Sequence, residues 1–261
     1  MFQGAAPTWV PESEQPRVRS YELYEQIVEL SERLGISGFA RWCKMELAFL
    51  DFLAGSWDAA LRGAESFLAG VGEAHYMETI ARQIQAEIMF GRGETARAVA
   101  ESQLAVAFAQ SAKDPQSLYP TLAMHAHLLV LAGRRSEANE LADELMRLVT
   151  EREFHANRWA TDLAFALDDL GRPGDAAGVL ERLANPTPWR NAALAYANGD
   201  RVGAADILGE LGNHTDEAYA RLRAAEEGDG AEQRDRALAF YRGVGATAHV
   251  RRVEALLSAS A

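Results

Sequence analysis

Cysteine occurs only once in this chain, at Cys43. A single thiol excludes an internal disulfide framework and any cysteine-rich zinc site, and it suits a reducing compartment, so the expected location is the cytoplasm. Aromatic residues are sparse at 8%, and 26 Lys and Arg stand against 38 Asp and Glu, for a net charge of −12. A surface of that sign argues against generic nucleic-acid binding, which needs cations to displace counterions. It argues equally against docking on anionic membrane lipid. Long apolar runs are missing as well. The best stretch, 121–133, carries His125 and His127 and falls short of the roughly 18 residues of a spanning helix. The first residues, MFQGAAPTWVPESEQP, have neither a basic n-region nor an apolar h-region, so no secretory signal is expected. Alternating runs of β-branched residues bounded by turn signals are also lacking, which leaves little for a sheet.

What is abundant is alanine, at 49 of 261 residues, within a chain that is 48% hydrophobic. Small residues in that excess imply closely packed helices. Apolar residues recur at spacings of three and four from Val18 onward, as in Tyr21, Tyr24, Ile27, Val28 and Leu34. The periodicity predicts helices over 18–34, 38–53, 57–70, 75–91, 94–112, 115–132, 135–151, 155–170, 173–184, 187–197, 201–211, 215–227, 231–244 and 246–258. Residues 1–17, with Pro7, Pro11 and Pro16, read as an extended lead-in. Residues 18–261 read as one all-α repeat domain, with 246–258 as its capping helix.

One spacing recurs five times: Ala, six residues, Gly, four residues, Ala. The copies are Ala48–Gly55–Ala60, Ala86–Gly93–Ala98, Ala126–Gly133–Ala138, Ala164–Gly171–Ala176 and Ala192–Gly199–Ala204. Each falls where helical periodicity breaks, which describes a helix hairpin. The first Ala sits at the closest approach of two helices, Gly ends the first helix in the left-handed region, and the second Ala faces back one turn into the next helix. A hairpin cannot bury its apolar face alone, so neighbouring hairpins stack and share a core. Seven hairpins stacked at about 9 Å per layer would make an array about 60 Å long. Glu101 falls on the side of its helix expected to be exposed.

The triplets resemble the tetratricopeptide-repeat family, whose motif carries small, Gly and Ala residues at the corresponding positions. The units here mostly repeat at 38 to 40 residues, longer than the family's 34. The resemblance implies a right-handed superhelical solenoid of antiparallel hairpins, with the first helix of each hairpin lining a concave groove. Carried over position by position, the groove residues are Trp42, Met45, Phe49 and Phe52, then Ile80, Gln83, Glu87 and Phe90. The third and fourth units give Pro120, Ala123, His127 and Val130, then Arg158, Thr161, Phe165 and Asp168. The fifth gives Pro186, Trp189, Ala193 and Tyr196. Tight winding could instead bury them as core. The aromatics are open between the two; Gln83, Glu87 and Arg158 favour the groove. Segments 107–146 and 237–261 are also similar to the C-terminal helical region of bacterial signalling proteins that carry a class III nucleotide cyclase domain and a STAND-type ATPase.

Catalytic patterns are scarce. No Walker A phosphate loop and no HExxH occur. Gly91-Arg92-Gly93 ends a helix and reads as a turn. His125 and His127, two apart on a helix, point about 200° apart and cannot share a metal. They read as packing residues, Cys43 as a core thiol, and Asp168 and Asp169 as a solvated helix end. The expectation is therefore a non-enzymatic domain without metal or cofactor, binding a protein or peptide, or other domains of its own full-length protein. The partner would sit in a groove around Trp42, Phe49, Gln83, Glu87 and Arg158. The alternatives are a freestanding adaptor, and an enzyme or small-molecule binder using that groove.

Overall fold

A computed structural model describes residues 16–70, 77–152, 154–228 and 230–259. Most of the expected lead-in, residues 1–15, lies outside the described residues. The rest is helical, and no strand occurs among the described residues. The helices are α1 (Pro16–Arg33), α2 (Ser37–Leu53), α3 (Trp57–Ala69), α4 (Glu78–Gly91), α5 (Thr95–Ala112), α6 (Pro115–Leu131) and α7 (Arg135–Glu151). They continue as α8 (Arg158–Asp169), α9 (Pro173–Glu181), α10 (Pro188–Ala197), α11 (Arg201–Glu210), α12 (His214–Glu227), α13 (Ala231–Gly243) and α14 (Thr247–Ala259). Every one lies within three residues of its expected bounds. None is long and apolar enough to cross a membrane.

The repeated triplets have the geometry their chemistry requires. All ten alanines are buried. Gly55, Gly93, Gly133, Gly171 and Gly199 all have positive φ, between 80° and 91°, a region where a Cβ clashes. After each glycine the chain closes a six-to-one hydrogen bond, as in Ser56 N–H to Asp51 O (2.8 Å) and Arg172 N–H to Leu167 O (2.7 Å). That is the Schellman end, which satisfies the last carbonyls and turns the chain sharply into the next helix. Close approach follows from the small residues. A Cβ placed on Gly63 of α3 would stand 2.6 Å from the Ala48 Cβ of α2.

Consecutive helices pack on one another along the chain, and α2, α4, α6, α8 and α10 also touch in succession. The array does not stay open. α12 packs on α2, and α14 on α4. One core cluster accordingly joins Met45, Phe52, Trp57 and Ile84 to Leu222, Tyr241 and Val253. Phe240 lies against Gly55, and Thr247 Oγ1 donates to Arg92 O at 2.9 Å. These contacts bring the last helices of the chain back onto its early ones. Glu101 also departs from expectation: its carboxylate accepts from Arg82 at 2.5 Å, with only 19% of the side chain exposed.

The alanine contacts give a matched test within one turn of α5. Ala98 is fully buried and Ala100 exposed. Ala98→Leu should overpack the crossing and lower stability by about 1–3 kcal/mol, whereas Ala100→Leu should change it by less than about 0.5 kcal/mol. Urea denaturation of both variants measures the difference, and equal losses would refute the assigned contact face.

Candidate functional site at the centre of the array

The inner helices converge on Arg158, the first residue of α8. Asn157 caps that helix by accepting from Trp159 N–H at 3.1 Å, which fixes where Arg158 leaves the backbone. Its guanidinium donates in a bidentate pair to Glu87 of α4 at 2.7 and 2.6 Å. Three further bonds reach Asp216 of α12, from Nε at 3.0 Å to Oδ2 and 3.3 Å to Oδ1 and from Nη2 at 2.8 Å to Oδ1. Asp162, one turn along α8, stands 3.5 Å away, and the guanidinium lies over the Phe52 ring of α2 at 5.2 Å. Asp216 is itself held by Asn213 Nδ2, donating at 2.6 Å. One cation thus faces three carboxyl groups. Burial, with repulsion from Asp216 and Glu87, drives the Asp162 carboxyl well above its ordinary range against the pull of Arg158. Burial alone would lower the Arg158 pKa, but Asp162, Asp216 and Glu87 carry it well above its usual value.

Beside this cluster lies a cavity of about 60 Å³, bordered by Phe90, His127, Tyr219, Tyr241 and His249 among others. It has room for ordered water. It is far smaller than the roughly 300–1,000 Å³ of pockets that hold drug-sized ligands. His249 stacks on Tyr241 with ring centroids 4.6 Å apart. Burial pushes its pKa down to about 3, helped by Arg252 and His127.

A second ion cluster ties α8 to the C-terminal helices. Arg201 reaches Asp168 at 2.9 Å, and Arg223 lies 3.3 Å from Asp168 and from Asp169. Tyr196 Oη donates to Asp168 at 3.2 Å, Tyr219 Oη donates to Asp169, and Arg252 holds Glu226 at 2.6 Å. The Asp168 and Asp169 side chains are only 7% and 9% exposed, so the expected solvated helix end is instead an anchor for α11, α12 and, through Tyr219, the centre. The carboxyl of Asp169 sits below its ordinary pKa although burial opposes this, because His127, Tyr219 and Arg223 favour its charged form.

The expected groove residues divide between two places. Glu87 and Arg158 meet in the central ion pair. Gln83 turns to α6, donating to Thr121 Oγ1 at 2.7 Å. Gln83 and Arg158 are 5% and 6% exposed, so both side chains are buried, whereas Glu87 is half-buried and borders the cavity. Phe49 is half-buried against the N-terminal core. Trp42 stacks on Phe39 with centroids 5.4 Å apart and meets Tyr24 edge-on, on the side of α1. His125 is held by Ser102 at 2.7 Å and Gln103 at 3.1 Å, a packing role as expected. Cys43 is fully buried and its thiol is pushed up to about 11 by burial and by Glu46. Among the described residues no group of His, Cys, Asp or Glu is arranged to hold a metal ion.

Thr215, Asp216, Tyr219, Tyr241 and His249 were not expected here. They lie on α12 to α14, beyond the five Ala–Gly–Ala units that set the expected inner face. Their role appears only once those helices pack inward.

Fold and centre together define an all-helical, repeat-like protein whose last helices fill its inner face. Neither a protein-family model nor a curated protein matches the chain.

Arg158→Met would strand Glu87 and Asp216 in the interior and should cost about 3–5 kcal/mol at pH 7, read by urea denaturation; a loss under about 1 kcal/mol would mean the cluster is not a structural tie. The histidine sets a pH dependence. An unfolded histidine binds a proton near pH 6.5, and folded His249 only near 3, so its contribution is complete above 6.5 and is lost as pH falls below it. At pH 5 the loss is about 2 kcal/mol for this one group. His249→Phe should therefore lose about that much less stability than wild type between pH 7.5 and 5, and parallel losses would contradict it.

Proposed function

We propose that this chain is a tetratricopeptide-like array, wound as a right-handed superhelix, that acts as a non-enzymatic protein-interaction and regulatory module. In this reading it is the cytoplasmic C-terminal part of a larger bacterial signalling ATPase or nucleotide cyclase. The observation that carries the reading is closure through Arg158. Helices α4, α8 and α12 share one buried ion cluster, so a partner that shifts one of these layers must disturb the others. Stacked hairpins otherwise couple only to nearest neighbours. The size of the central cavity, about 60 Å³, supports a structural role for the centre over a metabolite pocket. The five Ala–Gly–Ala units support the family assignment.

The test pairs two measurements on the purified chain. It should neither hydrolyse nor cyclise ATP. A partner captured from native cytoplasm should protect surface helices from hydrogen exchange while leaving the α4, α8 and α12 centre closed. Nucleotide turnover by pure protein, or protection confined to the central residues, would refute the module reading.

A further inference from the structure

Aromatic residues make up only 8% of the chain, yet they dominate the wall of the central cavity. Phe52, Trp57, Phe90, Phe165, Tyr219 and Tyr241 all border it, and they come from α2, α3, α4, α8, α12 and α13. Aromatic faces attract cations within about 6 Å. Two of these rings already hold one: Arg158 lies over Phe52 at 5.2 Å, and Arg252 over Tyr219 at 5.8 Å. Acid is also in surplus. Glu87 and Asp216 alone outnumber the one guanidinium between them, before Asp162 is counted. Arg252 is spent on Glu226 at 2.6 Å. His249 adds no charge at pH 7, because burial pushes its pKa down to about 3.

Two acceptors at the wall have capacity left. Each Glu87 oxygen takes one bond from Arg158, and a carboxylate oxygen accepts two. Tyr241 is 2% exposed, and its hydroxyl has no hydrogen-bond partner among the described residues. A buried tyrosine hydroxyl ordinarily finds one. Size sets the rest. A cavity of about 60 Å³ holds about four to six non-hydrogen atoms at roughly 10–15 Å³ each. We propose that this cavity binds a small alkylammonium ion, with its alkyl groups against the rings and its N–H donated to Glu87 or Tyr241. A neutral molecule of that size leaves the acid surplus uncompensated, and an anion adds to it. Phe90 of α4, Leu131 of α6 and His249 of α14 are half-buried, so the ion enters along the edge between those helices. The wall is complete only when α12 to α14 pack on the early helices, so an occupant stabilises that packed state. The inference goes beyond the interaction-module reading and does not depend on it.

The experiment titrates the full chain with trimethylammonium at pH 7.5, beside isopropanol and acetate as neutral and anionic molecules of the same atom count. Calorimetry reads the affinity, and nuclear Overhauser effects from the ligand methyl protons to protein ring protons read the place. Trimethylammonium should saturate one site with a Kd of about 1 mM or tighter. Isopropanol and acetate should bind at least tenfold more weakly. Tyr241→Phe should weaken trimethylammonium binding at least threefold and Phe90→Leu at least fivefold. Leu131→Trp, which fills the accessible edge, should abolish it. Phe108→Leu, a half-buried ring of α5 that does not border the cavity, should leave it within twofold. Phe90 and Leu131 are half-buried and Tyr241→Phe removes one oxygen, so at least one variant keeps the fold, as urea denaturation will read. Equal affinity for isopropanol would overturn the choice of a cation. Wild-type affinity in both Tyr241→Phe and Phe90→Leu, or no saturable binding, would overturn the site. So would binding that all variants share and that fades with added salt, because the ion would then be a diffuse counterion of the acidic surface. Each of these failures leaves the module reading to its own test of nucleotide turnover and partner protection.

Discussion

Arg158 enters the interior as a permanent cation, and the nearest carboxyl on its own helix, Asp162, stands 3.5 Å away and is itself pushed upward in pKa by burial. Its compensation has to come from elsewhere in the chain, from Glu87 on α4 and Asp216 on α12. These partners lie 71 and 58 residues away. A buried charge is costly unless paired and hydrogen-bonded, so this constraint links the early, middle and late parts of the array. The cavity, the stacking of His249 on Tyr241 and the burial of Asp168 and Asp169 all follow from α12 to α14 being drawn inward.

Polar groups make that closure specific where apolar packing alone would not. Alanine-rich helices can slide past one another with little change in buried area, because their side chains are short and alike. The fork of Arg158 against Glu87 and Asp216, and the placement of Arg201 and Arg223 on Asp168, accept a single register. The division of labour is clear in the two ion clusters. One ties the C-terminal helices to the front of the array, and the other ties them to its middle. Much of the acidic surplus of the chain is then left on the outside.

The repeat architecture was legible in the chain itself. Each Ala–Gly–Ala triplet encodes a local event: a small contact, a left-handed helix stop, and a small contact facing back. Each of these is decided by the covalent character of one residue and its nearest neighbours, so helix bounds agree closely with the structure. Fates that depend on distant neighbours were not legible. Gln83, Glu87 and Arg158 were placed on the inner side by position in the motif, but whether that side is a groove or an interior depends on helices more than fifty residues away. Asp168 and Asp169 read as a solvated end because no local signal announces Arg201 and Arg223.

By itself, then, the sequence determined the helices, their stops, their small-residue contacts and the excess of negative charge, because these are short-range or additive properties. The tertiary structure alone decided that the inner face is filled by α12 to α14 and that three carboxyl groups gather around one guanidinium. A helical period specifies which residues share a face, but only the packing of distant helices specifies what that face meets, since burial energy depends on the neighbour and not on the residue alone.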